Sequence, residues 1–195
     1  MWSAAILAGG HGRRFGGRDK SALIVEGRSI RERQLAVLKS VADDILIVGA
    51  PAAPADNPAG ARAVPDIVAG GGPLAGLYTA LVEATGTATI VVACDMPFLT
   101  APLLRHLLAL TADADAVVPS TSRGYHPLCA AYTPACLPPI SRRVSDGRFK
   151  MTDLLQDVRA RFISAEELEP FGDPERLLTN LNTPAEYREL EAPQP

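Results

Sequence analysis

The sequence predicts an α/β fold with a mostly parallel central sheet and helices on both of its faces. Two observations carry this expectation. Short runs of β-branched and aliphatic residues alternate along the chain with longer stretches of helical periodicity. A length of 195 residues with 47% apolar content also supplies enough material for one buried sheet and its covering helices. Strand, helix and strand repeated in that order need right-handed crossovers when the strands are parallel, and these put helices on both faces. The result is a Rossmann-like arrangement. One domain over residues 1–191 is expected, with 192–195 (APQP) as a fraying tail.

Each element has its own local reason. Residues 4–7 (AAIL) form a buried strand that runs into a glycine-rich bend. Residues 29–41 (SIRERQLAVLKSV) open with Ser29 and carry Glu32 three positions later, a capping box that satisfies the exposed N–H groups of a first helical turn. Residues 44–48 (DILIV) return as a second strand. The Pro- and Ala-rich stretch 50–61 has little to bury and reads as a surface loop. A short strand ends just before Asp66, and residues 73–84 (PLAGLYTALVEA) are helical. Residues 88–94 (ATIVVAC) make the central buried strand.

The helix at 100–110 (TAPLLRHLLAL) holds Pro102 in its first turn, where the missing N–H is not needed. Residues 114–119 (ADAVVP) form another strand, the polar stretch 119–127 (PSTSRGYHP) breaks the alternation, and 128–132 (LCAAY) resumes it. Residues 141–150 are basic, and NTPAEYREL closes the chain as a helix with Thr183, Pro184 and Glu186 in capping order. There is no internal repeat.

Composition excludes several classes. A formal net charge of −3 gives a polyanion no general attraction, so nucleic acid is not an expected partner. Cys94, Cys129 and Cys136 are odd in number with no Cys-x-x-Cys spacing, and read as small buried hydrophobes rather than a disulfide framework or zinc site. No apolar run reaches the ~20 residues of a membrane span. The short AAILA segment also lacks a basic flank, so a cytoplasmic protein without membrane association is expected.

Ligands of such sheets sit beyond the carboxyl ends of the strands. There the first loop, LAGGHGRRFGGRDK, packs five glycines and four cations into fourteen residues. It is not a P-loop, because Asp19 precedes Lys20, nor a dinucleotide fingerprint, because Phe15 stands where the third glycine belongs. Bare backbone can still present successive N–H groups to an anion, with Arg13, Arg14, Arg18 and Lys20 supplying charge suited to a triphosphate. Asp95 emerges at the end of the central strand, followed by Pro97, where a carboxylate can hold Mg²⁺ with phosphate oxygens or cap the next turn. Asp66 precedes Gly70 to Gly72 and a helix N-terminus, as a ligand contact or a turn former.

At these residues the chain resembles the molybdenum cofactor guanylyltransferases, within the nucleotide-diphospho-sugar transferase fold. The resemblance rests on Leu7-Ala8-Gly9-Gly10, Arg14-Phe15-Gly16 and Asp19-Lys20, with Phe15 in place of the family's methionine. It continues through Gly72-Pro73-Leu74-Ala75-Gly76, Cys94-Asp95-Met96-Pro97 and Asn180-Leu181-Asn182-Thr183-Pro184, over nearly the whole chain. It implies GTP binding by Leu7, Ala8, Gly9, Gly10, Lys20, Asp66 and Asp95, with Mg²⁺ on Asp95. It implies a molybdopterin side formed by Asn182, Asn180 and Arg148. A family asparagine that contacts guanosine falls near Gly49, and the double glycine after Leu7-Ala8 favours guanine over cytosine.

The implied reaction is in-line attack of the molybdopterin terminal phosphate on the α-phosphorus of GTP. Lys20, Asp95 and Arg14 are the implied catalytic residues, Asp95 through the metal and the cations through charge on the departing pyrophosphate. An already ionised phosphate nucleophile needs no general base. Of the three histidines, His106 reads as a helix surface or boundary residue, while His11 and His126 lie in loops near the cleft and can hydrogen-bond substrate. Transient contacts with other cofactor-biosynthesis proteins and with acceptor molybdoenzymes are also implied. Two other readings stand beside this one: a nucleotidyltransferase using CTP with molybdopterin or a nucleotide with a sugar phosphate, and a nucleotide-binding adaptor without chemistry. Retention of Lys20 and Asp95 opposes the adaptor.

Overall fold

The computed structural model describes residues 1–8, 20–49, 60–181 and 187, with Lys20 described in its backbone only. In chain order the strands are β1 (Ser3–Leu7), β2 (Ile24–Val25), β3 (Arg28–Ser29), β4 (Asp44–Val48), β5 (Arg62–Val64), β6 (Thr89–Ala93), β7 (Ala116–Thr121), β8 (Gly124–Tyr125), β9 (Cys129–Tyr132) and β10 (Ala160–Ile163). The helices are α1 (Ile30–Lys39), α2 (Gly72–Glu83), α3 (Ala101–Ala109), α4 (Leu137–Ser145), α5 (Met151–Leu154), α6 (Ala165–Leu168) and α7 (Pro174–Leu177).

The main sheet runs in the order β10-β7-β9-β6-β1-β4-β5, with β8 paired to β7. Strand β1 is parallel to both β4 and β6, β4 to β5, and β7 to β10. Strand β9 runs antiparallel between β6 and β7, as the short β8 does beside β7. Its direction has a simple cause. Only Ser122 and Arg123 separate Thr121 from Gly124, and so short a connection can only fold the chain back on itself. The stretch 119–127, expected as a polar break, is therefore the tip of this hairpin, with β7 continuing through Thr121.

The chain steps outward from β1 to β4 and β5, then returns with β6 on the other side of β1. The carboxyl ends of β1 and β6 thus flank the point where strand order reverses, the crevice in which open α/β sheets bind ligands. Alternation along the strands loads both faces. Ala4, Ile6, Ile45, Ile47, Ile90 and Val92 meet Leu35 and Leu38 of α1 and Leu103 and Leu107 of α3. Ala5, Leu7, Leu46, Val48 and Val91 meet Leu74 and Leu77 of α2, with Ile140 of α4 and Leu154 of α5 beside them. The capping box of α1 forms as expected, with Ser29 Oγ accepting the Glu32 N–H at 3.2 Å and Glu32 Oε2 accepting the Ser29 N–H at 2.8 Å. Pro102 lies in the first turn of α3.

Candidate active site

The strand ends form a level edge. Leu7 is in register with Val48 on one side and Ala93 on the other, and Val48 with Val64. Pairing continues one residue further: the Ala8 N–H donates to Val48 O at 2.8 Å, Cys94 N–H to Leu7 O at 3.3 Å and Gly49 N–H to Val64 O at 3.0 Å. Asp95 follows Cys94 directly, and Asp66 stands two residues beyond Val64. Three inter-strand steps separate β6 from β5, which puts the two strand ends about 14 Å apart. Residue 8 leads into the first loop from between them. Leu7 is pinned from below by α2, where a Cβ on Gly76 would stand 3.3 Å from Leu7 Cδ1.

Asp95 is buried, at 9% exposure, and helix α1 holds the turn that carries it. Gln34 Nε2 donates to Ala93 O at 2.7 Å and to Met96 O at 3.0 Å, so one side chain grips the backbone on both sides of Cys94–Asp95. Arg33 Nε donates to Pro97 O at 3.0 Å, and the Leu181 N–H donates to Asp95 O at 3.0 Å. Arg31, on the same helix, bonds Ser21 Oγ at 2.8 Å and thereby fixes the backbone next to Lys20. A signal for Gln34 was present in the sequence: it interrupts the apolar stripe Ile30, Leu35 and Leu38 with a buried amide.

On the far side, Asp66 leads a loop tied to α2 through the Ile67 N–H and Thr79 Oγ1, 3.0 Å apart. Desolvation raises the pKa of Asp66 above the usual carboxylate value. The glycines that follow are required for two different reasons. Gly72 has φ of +61°, whereas a Cβ on Gly71 would come within 2.7 Å of the Phe149 ring and 2.6 Å of Ala75 Cβ. Helix α2 then starts with Pro73 and no acidic residue in its first turn, a terminus that favours an anion.

A cavity of about 180 Å³ adjoins the Asp95 turn on the opposite side from Asp66, with Met96, Pro73, His126, Met151 and Asn180 in its walls. Asn180 is thus brought to the site. Arg148 is not in these walls; it is exposed and pairs with Asp146 at 2.8 Å. Arg143 and Lys150 of the same basic stretch are paired too. Arg143 is buried, with Nε 2.5 Å from Asp157 Oδ2 and a second bond to Asp153 O at 2.6 Å, and Lys150 lies 3.1 Å from Asp153 Oδ1. His106 sits in α3 with its ring 4.9 Å from that of Phe171, away from the strand ends. Cys129 and Cys136 are buried free thiols, and Cys94 is half-buried. Gly9, Gly10, His11, Arg13, Arg14, Arg18, the Lys20 side chain, Asn182, the greater part of the 50–61 loop and, apart from Tyr187, the closing helix and tail lie outside the described residues.

Residues 4–162 match the family described as MobA-like NTP transferase domain. The chain is similar to a protein of Pelotomaculum thermopropionicum named "Probable molybdenum cofactor guanylyltransferase", 36% identical over 187 residues, covering 94% of this chain and 89% of the relative. It is likewise similar to the "Molybdenum cofactor guanylyltransferase" of Desulfosudis oleivorans, 36% identical over 194 residues, covering 96% and 93%. Among solved structures, the molybdopterin-guanine dinucleotide biosynthesis protein A of Archaeoglobus fulgidus superposes with a TM-score of 0.79 at 25% identity, covering 97% of this chain and 96% of that one.

Proposed function

The chain belongs to the MobA-like NTP transferase family, and from that premise we propose that it transfers GMP from GTP to the terminal phosphate of molybdopterin, giving the guanine dinucleotide cofactor and pyrophosphate. The observation that carries this reading is the position of Asp95, a buried carboxylate at the switch point of the sheet. A strand edge suited to an extended triphosphate lies on one side of it and a cavity containing Asn180 on the other. Two substrates entering from those sides meet at one carboxylate. The names carried by the relatives, guanylyltransferase and molybdopterin-guanine dinucleotide biosynthesis protein, support GTP and molybdopterin as the pair.

The donor set fits Mg²⁺. Among the described residues no three His, Cys, Asp or Glu side chains cluster into a closed cage, and one carboxylate completed by phosphate oxygens and water is an arrangement this ion accepts. Bound there, Mg²⁺ would supply Lewis-acid polarisation of a phosphoryl oxygen. The chain's own residues do the rest. Leu7, Ala8, Gly9 and Gly10 present backbone to the triphosphate, Lys20 and Arg14 offset charge on the leaving pyrophosphate, and Asp66 contacts the nucleotide. An oxygen of the acceptor phosphate forms the new bond to the α-phosphorus as the bond to the bridging β-phosphate oxygen breaks. Asn180, Asn182 and Arg148 attend the pterin. Among the described residues no helix is long and apolar enough to cross a membrane. The proposed setting is the cytoplasm, with transient contacts to cofactor-biosynthesis proteins and acceptor molybdoenzymes.

Calorimetry of GTP against CTP with Mg²⁺, followed by pyrophosphate release on addition of molybdopterin, tests this directly. Tighter GTP binding and molybdopterin-dependent release are expected. Preference for CTP, or GTP binding without release, would replace the proposal with the cytidylyl or the adaptor reading respectively.

A further inference from the structure

His126 lies where the β7–β8 hairpin returns into β9, and it lines the cavity beside Met96 and Asn180. Its Nε2 is 2.9 Å from Thr121 Oγ1. The threonine is itself fixed in the hairpin tip, where Thr121 Oγ1 accepts the Arg123 backbone N–H at 3.2 Å. The Glu175 carboxylate accepts from Ser122 Oγ at 3.0 Å and from Arg123 Nε at 2.5 Å, which ties the tip to the residues of α7. Nε2 is engaged by the threonine, and Nδ1 is the ring nitrogen left to hydrogen-bond a ligand.

The ring is neutral at neutral pH. Desolvation, and after it the charge of Arg123, lower its pKa, against a smaller opposing effect of Glu175. The surrounding walls are uncharged as well. The Cys129 thiol is pushed up to about 12 by burial and stays protonated, and no Lys or Arg stands among the described residues of the cavity wall. Tyr125, stacked on Phe162 with ring centroids 4.5 Å apart, gives an aromatic rim. Such a chamber suits a neutral, flat, hydrogen-bonding heterocycle and not a phosphate.

We propose that His126, its ring held through Nε2 by Thr121, is a specificity residue for the acceptor, its Nδ1 hydrogen-bonding the pterin ring seated in this cavity. The assignment rests on the guanylyltransferase reading and adds to it the residue that recognises the ring. The acceptor phosphate then extends past Met96 toward Asp95, the direction the reaction requires.

Fluorescence titration of the full chain with 6-hydroxymethylpterin phosphate, in the presence of GTP and Mg²⁺, tests the assignment. Replacing the ring in His126→Ala should weaken pterin binding about tenfold, the loss of one buried hydrogen bond. Thr121→Val, close in shape and without the hydroxyl, should weaken it about threefold by releasing the ring from its 2.9 Å contact. Calorimetric GTP binding should stay unchanged in both. Equal pterin affinity in the parent and both variants overturns the proposal, as does failure of the parent to bind the probe or a preference for glucose 1-phosphate. A parent that binds no GTP defeats the guanylyltransferase reading instead, so the two failures are distinct. Should His126→Ala fail to fold, judged by thermal unfolding, Thr121→Val alone decides.

Discussion

Asp95 is the residue at which position and chemistry coincide. It follows a fully buried strand, is itself buried, and has its main-chain oxygen engaged by Leu181. Asp95→Asn keeps the volume and the backbone bond while removing one negative charge from the proposed metal site. The rate of pyrophosphate release should fall at least about a hundredfold, in the range found when a single preorganised electrostatic contact is lost, with little change in unfolding midpoint. Initial rates measured across a Mg²⁺ titration check this, and a rate equal to the parent's would remove Asp95 from the metal role. Gly49, by contrast, has φ of +79°, a conformation that asparagine tolerates better than other side chains. The backbone here is therefore compatible with the asparagine that the family resemblance places nearby.

Helix α1 turns a sheet edge into a site. Arg31, Arg33 and Gln34 lie within its first turn and a half, and its N-terminal end faces the carboxyl ends of the strands. From there it anchors Ser21, beside Lys20, and grips the turn around Asp95. Gln34→Leu would leave Ala93 O and Met96 O without this donor. A destabilisation of about 2 kcal/mol is expected from such a loss, together with a several-fold rise in the Mg²⁺ concentration needed for half-maximal rate. Urea unfolding and the Mg²⁺ titration separate the two effects. A loss of stability with unchanged Mg²⁺ dependence would make Gln34 a prop for the fold alone. The strands and the long helices were legible because their cause is local: period-2 and period-3.6 burial, a capping box, a proline in a first turn. Asp66 and Asp95 were legible because they follow strand ends. The grip of Gln34 on the Asp95 turn and the His126–Thr121 contact were not, since Ala93 lies 59 residues from Gln34 in sequence and the second contact is set by a hairpin tip whose polarity disguised it as a loop. Much of the charge of the basic run 142–150 is offset from nearby by Asp146, Asp153 and Asp157, which the sequence shows as separate acids but not as partners.

At the scale of the whole molecule the two ends of the sheet do different work. The carboxyl ends hold Asp66, Asp95 and the proposed substrates, while the amino ends are closed by Asp44. Its carboxylate accepts from Ser3 Oγ and the Thr85 N–H at 3.0 Å, from the Thr85 hydroxyl at 3.1 Å and from Arg62 at 3.1 and 3.2 Å, joining β4 to β1, to β5 and to the turn before β6. Strand β4 spans about 13 Å between Asp44 and the site edge, so stability and catalysis can be separated by mutation. Burial alone would raise the Asp44 pKa, but the bonds from Thr85, Ser3 and Arg62 outweigh it and hold the pKa below the ordinary carboxylate value. A lowered pKa means stability that is fully present above the unfolded value of about 3.9 and disappears as pH falls through the folded one. Asp44→Asn should therefore lower stability by about 2 kcal/mol at pH 7, and the gap from the parent should narrow as the pH is taken from 4 toward 2. Urea unfolding across that range measures the gap, and kcat/KM per folded molecule at pH 7 should not change. A gap independent of pH would show that the carboxylate charge contributes nothing there, and a fall in kcat/KM would show that the amino ends of the strands also shape the site.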